Sequence, residues 1–127
     1  MGILRQAQAI IIFEMNSYAV AVLIIAPEGI PLIRDPKKPP PVFWKAPGGR
    51  GMLHEDAETA AIREIKEEIG IMLAEASLEV VHREDKGTHT LVLFTAKVPS
   101  LTGIKAQGDE GEEIKVFERK ELATLPF

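Results

Sequence analysis

The stretch "GRGMLHEDAETAAIREIKEEIGI" (residues 49–71) places three acidic side chains close together near the end of a predicted helix. Glu64, Glu67 and Glu68 have the i, i+3 and i+4 spacing that puts side chains next to one another on a helix surface. Like charges in this arrangement destabilise an isolated helix by about 0.2–0.5 kcal/mol per pair. The pattern therefore raises the question of what compensates for the repulsion.

The helix itself is predicted from Asp56 to Ile69. Its first turn carries negative charge, which the helix dipole favours, and Gly70 follows its end as a C′ residue. Ile62, Ile65 and Ile69 form an apolar stripe that we expect to face the core. The three glutamates lie on the adjacent face.

The acidic face has two interpretations when the helix is considered alone: a solvated surface or a binding site. Ala57 and Ala60 fall in the same sector as the glutamates, so we expect room for a ligand there. The turn "PGGRG" (47–51) lies just upstream, and its glycines let a backbone carbonyl or N–H group approach a ligand closely. Carboxylate oxygens without thiolates suit Mg²⁺ or Mn²⁺. The combination favours a metal site.

Composition and charge limit the class of protein. The chain has 127 residues, which fits a single domain (1–127), and 46% of them are hydrophobic, enough for a core. A net charge of −4 argues mildly against a nucleic-acid surface, and the absence of cysteine excludes disulfide scaffolds, thiolate zinc sites and cysteine nucleophiles. The sequence opens with no recognisable leader, and its longest apolar run (18–26) is half the ~18 residues that span a bilayer. We expect a cytoplasmic protein with no membrane partner.

Periodicity and turn chemistry predict several strands in the first half of the chain. Residues 18–26 read as a strand buried on both faces, and 30–35 as the returning arm of a hairpin. The prolines of 36–41 predict a stiff exposed loop, and 42–46 a short strand that ends at the glycine-rich turn. Residues 1–16 form an N-terminal extension of uncertain structure, for which we favour an extended conformation.

The second half predicts a hairpin, a loop and a last strand. Strands are expected at 77–84 and 88–98, a polar loop at 99–113, and a strand running into a short terminal turn at 114–122. Several strands with one long helix indicate an α+β fold.

The stretch 49–71 also resembles the signature of the Nudix hydrolase family (MutT-like proteins). In that signature a glycine, a glutamate and an Arg-Glu-apolar-x-Glu-Glu-x-Gly-apolar run stand at fixed intervals. Every defined position is matched, by Gly49, Glu55, Arg63, Glu64, Ile65, Glu67, Glu68, Gly70 and Ile71. The resemblance implies an α/β/α sandwich around a mixed β-sheet, with the signature forming a loop–helix–loop.

Some positions depart from the family pattern. His54 stands where many members have glycine, and Gly51 where an apolar residue is frequent. The family fold usually ends in a second long helix, whereas here only "ELATLPF" follows the last strand, so we expect that helix to be short or missing. The N-terminal segment or another subunit would then cover the sheet face, and exchange of residues 3–14 in a homodimer is one hypothesis.

The resemblance implies metal-dependent hydrolysis of a nucleoside diphosphate linked to another group. Its metal ligands would be Glu64, Glu67, Glu68 and the carbonyl of Gly48, with Mg²⁺ as cofactor and Mn²⁺ as an alternative. Arg63 would hold a signature glutamate in place, and Glu55 would support the loop or an outer ligand. The general base stays open. Its candidates are Glu67 and the loop residues Glu110, Glu112 and Glu113, of which we favour Glu112.

The substrate is expected to be a small nucleotide, in a role such as clean-up of the nucleotide pool. Arg34 and Arg50 are candidates for phosphate contacts, with an ordinary surface role as the alternative. Trp44, the only tryptophan, is a candidate for stacking on a base, although we favour a core position on a strand for it. The rival function is a non-catalytic nucleotide-binding regulator with a Nudix fold.

Overall fold

The computed structural model of the protein describes residues 17–125. The expectations for residues 1–16, including strand exchange through 3–14, lie outside this range. The elements in chain order are β1 (Ser17–Ile25), β2 (Ile30–Arg34), β3 (Gly48–Arg50), α1 (Ala57–Ile69), a 3₁₀ turn (Glu75–Ser77), β4 (Leu78–Asp85), β5 (His89–Lys97), β6 (Glu113–Phe117) and α2 (Arg119–Leu122).

The main sheet has four strands in the order β3-β1-β5-β4. Strands β1 and β5 run parallel at its centre, while β3 and β4 pair antiparallel at the two edges. A separate antiparallel ribbon joins β2 to β6. The predicted α+β fold with a mixed sheet is confirmed.

Helix α1 begins and ends where its sequence predicts. The Asp56 carboxylate caps it by accepting a hydrogen bond from the Thr59 amide at 2.7 Å. Gly70 ends it in the left-handed conformation, with φ of 81°, and its amide donates to the carbonyls of Ile65 and Lys66. Helix α1 packs on the sheet through Ile65 and Ile69, both fully buried.

The space beside the helical alanines is filled by protein. Ala57 and Ala60 are buried. Gly51 packs so closely against Ala60 that a Cβ added to Gly51 would lie 3.2 Å from the Cβ of Ala60. The expectation that these alanines leave room for a ligand was therefore wrong. Their small size instead lets β3 and the loop after it pack against α1.

The predicted hairpin between β1 and the next strand was also wrong. Ala26 and Gly29 close a tight turn with two reciprocal hydrogen bonds of 3.1 Å, but β2 then leaves the main sheet and pairs with β6. The partners are far apart in sequence, so local turn chemistry could not indicate them.

The strand expected at 42–46 is found instead at Gly48–Arg50. Within residues 42–46 only Lys45 forms a bridge, to Ile33, whereas the regular strand is β3, in the stretch predicted as a turn. Glycine permits this pairing, because a Cβ on Gly48 would lie 1.9 Å from the Val20 carbonyl oxygen.

Two apolar clusters hold these layers together. The larger one lies between the main sheet and α1, around Val22, Phe94 and Ile65. The smaller one lies under the ribbon, where Phe117 and the partly buried Leu122 of the four-residue α2 meet. The short C-terminal helix matches the expectation from the sequence. No helix within residues 17–125 is long and apolar enough to cross a membrane.

Candidate active site

A cleft of about 420 Å³ opens at the acidic face of α1. It is bounded by that helix, by the start of β3, by the loop after β2 and by the loop before β6. Most of its lining side chains are charged, seven acidic and two basic, and the full lining is Ile33, Asp35, Lys38, Lys45, Gly48, Glu64, Glu67, Glu68, Asp109, Glu110 and Glu112. We call this cavity the acidic cleft.

The acidic cleft brings together most of the residues singled out from the sequence. Gly48, Glu64, Glu67, Glu68 and Glu112 all line it. The helix repeat aims the three signature glutamates the same way, and β3 places Gly48 opposite them.

Five lining residues escaped the sequence reasoning: Ile33, Asp35, Lys38, Lys45 and Asp109. Asp35, Lys38 and Lys45 belong to the loop that follows β2 and to the chain just before β3. Only the pairing of β2 with β6 brings that loop to the cleft, and the one local signal was its mixture of charges and prolines.

Arg63 does not line the cleft, but its hydrogen bonds connect several residues of the signature. Its guanidinium donates to both carboxylate oxygens of Glu55 at 2.8 Å, and to Glu64 and Glu67 at 3.1 Å. It also reaches the Arg50 carbonyl at 3.2 Å. The forked guanidinium suits this bidentate contact, and it keeps the pKa of the Glu55 carboxyl below its ordinary value.

Glu68 is the signature acid with the most unusual environment. Burial raises the pKa of its carboxyl to about 7, against the opposing influence of a 3.1 Å hydrogen bond from the Gly48 amide and of the nearby Lys45. The charges of Glu64 and Glu112 raise the pKa further. Negative charge is therefore crowded at this point of the cleft.

Gly49 packs directly against the carboxylate of Glu64. A Cβ on Gly49 would lie 2.5 Å from one carboxylate oxygen of Glu64 and 3.0 Å from the other. A side chain larger than hydrogen would require the end of the Glu64 side chain to shift. The glycine therefore lets β3 pack against the carboxylate where the structure places it.

The loop before β6, which carries Asp109, Glu110 and Glu112, is called the acidic loop below. It is hydrogen-bonded on one side to α1 and on the other to the loop after β2. The Lys105 ammonium donates to the Glu67 carbonyl at the end of α1 and, at 2.8 Å, to Asp109 of the loop. On the other side, the Lys37 ammonium donates to the Glu110 carbonyl at 2.9 Å. These contacts hold the loop, and Glu112 with it, across the cleft from the helix.

The three candidates for substrate contacts do not line the acidic cleft. Arg34 pairs with Glu113 at 2.7 Å and lies over the Trp44 ring, 4.4 Å from its centroid. Trp44 packs edge-on against Phe117, with ring centroids 5.1 Å apart. Arg50 is exposed and contacts Ser17 at 3.4 Å. Glu113, one of the base candidates, is thus engaged by Arg34.

His54 is the one non-glycine residue of 17–125 with a positive φ, at 67°. The resemblance had already marked it as standing in place of glycine. The chain keeps the left-handed backbone there without the residue that adopts it most readily. The ring is exposed and lies outside the cleft lining, so the site's donor groups are unaffected.

The donor set fits a hard divalent cation in its chemistry. Oxygen atoms from carboxylates and a backbone carbonyl are the ligands Mg²⁺ prefers, and Gly48 lines the cleft together with the acidic side chains. In the structure, however, Glu64 and Glu67 turn toward Arg63 and Glu68 toward the Gly48 amide. As placed, no three acidic or histidine side chains within 17–125 form a ready-made metal cage.

Comparison with known proteins places this geometry in context. The model of the NUDIX domain matches residues 15–127. No curated protein matches the sequence.

Solved structures add fold-level similarity. A MutT structure, from work on the fish pathogen Aliivibrio salmonicida and on Vibrio cholerae, has a TM-score of 0.68 and 25% identity, covering 88% of this chain and 87% of that one. The MutT protein of Bacillus halodurans gives 0.65 and 24%, covering 87% and 74%. T. brucei MERS1 in complex with GDP gives 0.56 and 22%, and this chain spans only 36% of that protein against 76% of its own length. MERS1 was also solved with RNA.

Proposed function

The chain belongs to the Nudix family as a MutT-like hydrolase of phosphoanhydride bonds, and we propose that it hydrolyses a nucleoside diphosphate linked to another group with the help of a divalent cation. The observation that carries this proposal is the charge of the acidic cleft. Seven carboxylates and two lysines cannot receive a polyanionic substrate unless added positive charge balances them.

We infer that Mg²⁺, or Mn²⁺ in its place, would be held by the Gly48 carbonyl and by Glu64, Glu67 and Glu68. When bound, the cation neutralises phosphate oxygens and lowers the pKa of water in its coordination sphere. Arg63 acts through these residues rather than on the substrate, since it holds the carboxylates of Glu64 and Glu67 from outside the cleft.

The positive side chains of the cleft suit the substrate's outer phosphates. Lys38 and Lys45 both line the cavity. An ammonium group contacts a phosphate oxygen as a compact point charge. We propose that they orient the diphosphate, whereas Arg34 and Arg50 have contacts elsewhere.

Glu112 is our candidate for the group that takes a proton from the attacking water, with Glu67 as the alternative. Glu112 is half-buried, lines the cleft and lies so close over Gly108 that a Cβ there would be 2.0 Å from its carboxylate. A carboxylate across the cleft from the metal ligands is placed to accept a proton at one oxygen.

The size and charge of the cavity support the proposed substrate class. A cleft of about 420 Å³ fits a mononucleotide or its diphosphate portion. The same lining, dominated by acids, disfavours the extended phosphate backbone of RNA or DNA. The neighbour MERS1 was solved with both GDP and RNA, so a short RNA belongs in the substrate panel.

The test is a panel of nucleoside triphosphates, nucleoside diphosphate sugars, dinucleoside polyphosphates and a short RNA, with release of phosphate and pyrophosphate measured. We expect turnover of at least one nucleotide that requires Mg²⁺ or Mn²⁺ and disappears with a chelator. Glu112→Gln or Glu67→Gln should reduce kcat about 10²-fold or more, the range of a general base.

Glu79→Gln is the matched control, because Glu79 is an exposed glutamate of β4 away from the cleft. Its activity should equal that of the unmodified chain. Turnover that persists undiminished in chelator would contradict the metal-dependent function, and full activity in both cleft variants would remove these glutamates from the proton transfer.

A further inference from the structure

A second cavity, of about 350 Å³, adjoins the acidic cleft. It is formed by the loop between β2 and β3, and we call it the loop pocket. Its lining is mostly apolar and consists of Asp35, Lys38, Pro39, Pro41, Val42, Phe43 and Lys45. Asp35, Lys38 and Lys45 line both cavities and so form the border between them.

Phe43 gives the loop pocket an aromatic wall that the fold does not need. The side chain is 45% exposed, and it belongs to neither of the two apolar clusters formed by residues 17–125. Its neighbour Trp44 does enter the smaller cluster. The chain therefore turns one aromatic residue into the core and leaves the next one facing a concave, solvent-filled space, where its burial would require a ligand.

The rest of the pocket is suited to a flat, uncharged group. Pro39 and Pro41 restrict the backbone of the rim, so less freedom is lost on binding. Val42 adds a half-buried apolar surface. A pocket with apolar and aromatic walls and a few polar groups at one end is typical of sites for small organic ligands.

The polar end of the pocket is also its border with the acidic cleft. Neither the Lys38 nor the Lys45 ammonium forms an ion pair or hydrogen bond with any group of residues 17–125, although Lys45 is near enough to Glu68 to oppose the rise of its pKa. Two such ammonium groups between an apolar pocket and a metal-binding cleft match a ligand whose flat end is joined to phosphates.

We propose that the loop pocket binds the heteroaromatic base of a nucleotide whose diphosphate lies in the acidic cleft, with the base stacked on Phe43. This inference rests on the proposed function and adds where the base lies. It assigns substrate selection to the β2–β3 loop. A sugar or a bare polyphosphate gains little from the aromatic wall, because stacking requires a π face.

The test compares binding of two probes in the presence of Mg²⁺. One set is the α,β-methylene analogues of ATP, GTP, CTP and UTP, and the other is methylenediphosphonate, which has the phosphate mimic without a base. Calorimetry is carried out on the full chain and on its Phe43→Ala and Phe43→Trp variants. Phe43→Ala should weaken the tightest nucleotide analogue about 10-fold, while Phe43→Trp should retain its affinity. Methylenediphosphonate should bind all three alike.

Met72→Ala is the control, since Met72 is a large apolar side chain, 64% exposed, that lines neither cavity. Equal nucleotide affinity in the full chain and Phe43→Ala, with methylenediphosphonate still bound, would overturn the loop-pocket assignment and leave the proposed function standing. If the full chain binds neither probe, the proposed function and the pocket assignment are both wrong.

Discussion

At the scale of single residues, Glu68 links the chemistry of the cleft to the stability of the protein. Burial raises the pKa of its carboxyl to about 7, whereas the same group in the unfolded chain titrates near 4.5. Between these values the folded protein keeps a proton that the unfolded chain has lost. The free energy of unfolding of the metal-free protein should therefore fall as pH rises from about 4.5 through 7.

Urea denaturation in chelator at pH 5, 6, 7 and 8 measures this effect. Glu68→Gln cannot titrate, so its stability should decline less over the same range. Parallel curves for the two proteins would show that the Glu68 environment is not as the structure places it.

Gly49 supports a second prediction at this scale. In Gly49→Ala the new Cβ would occupy the space 2.5 Å from the Glu64 carboxylate, so that carboxylate must move. We expect Mn²⁺ affinity to fall about 10-fold or more, in the range seen when residues supporting a metal ligand are changed. Electron paramagnetic resonance of free Mn²⁺ measures it.

Gly87→Ala is the comparison for this substitution. Gly87 has a φ of 88° and no atom within 4 Å of the added Cβ, so the change should lower stability through the backbone alone. Its Mn²⁺ affinity should be unchanged. Equal affinity in Gly49→Ala would mean that Glu64 is not a ligand in the position proposed.

At the scale of elements, Lys105 is the residue that attaches the acidic loop to α1. Lys105 joins the end of α1 to Asp109, and its own amide donates to the Ile69 carbonyl at 2.8 Å. Lys105→Met should release the loop and move Glu112 away from the helix. Because small misplacements of reacting groups are costly, we expect kcat to fall about 10-fold or more, with little change in the melting temperature.

Lys86→Met is the matched substitution, as Lys86 pairs with Glu84 at 2.8 Å beside the β4–β5 turn. It should leave kcat unchanged. Increased hydrogen exchange in residues 106–112 of Lys105→Met, and recovery of activity in Lys105→Arg, would separate positioning of the loop from a general loss of structure. An unaltered kcat would argue against any role for this attachment.

The helices and strands also differ in how well the sequence predicts them. Helix α1 and its three glutamates follow from local rules, namely a capping aspartate, a terminal glycine and the helical repeat. The path of β2 does not, because Arg34 and its partner Glu113 are 79 residues apart. Since that pairing carries the β2–β3 loop to the cleft, Asp35 and Lys38 could not be found from local pattern.

Small residues, glycine and alanine, led to the other wrong predictions from the sequence. The usual meaning of glycine in a sequence is a turn, yet Gly48 lies in a strand that only glycine can bring so close to β1. Likewise, the alanines of α1 indicated open space, whereas they accommodate β3. In both cases a small residue marks close packing between elements, which depends on the tertiary fold.

At the scale of the whole molecule, cation binding should stabilise the fold by linkage. A ligand that binds only the folded state adds about 1.4 kcal/mol of stability at ten times its dissociation constant. For a domain of this size we expect the melting temperature to rise by about 3–8 °C in millimolar Mg²⁺. Potassium chloride at equal ionic strength controls for screening. No shift at 10 mM would count against a specific site.

The measurement that tests the central claim most directly is a crystal structure with Mn²⁺ and a non-hydrolysable nucleotide, using the anomalous signal of manganese to locate the ion. The account predicts manganese between Glu64, Glu67, Glu68 and the Gly48 carbonyl, in contact with the diphosphate. Manganese found elsewhere, with these carboxylates still turned toward Arg63 and the Gly48 amide while the nucleotide is bound, would contradict it.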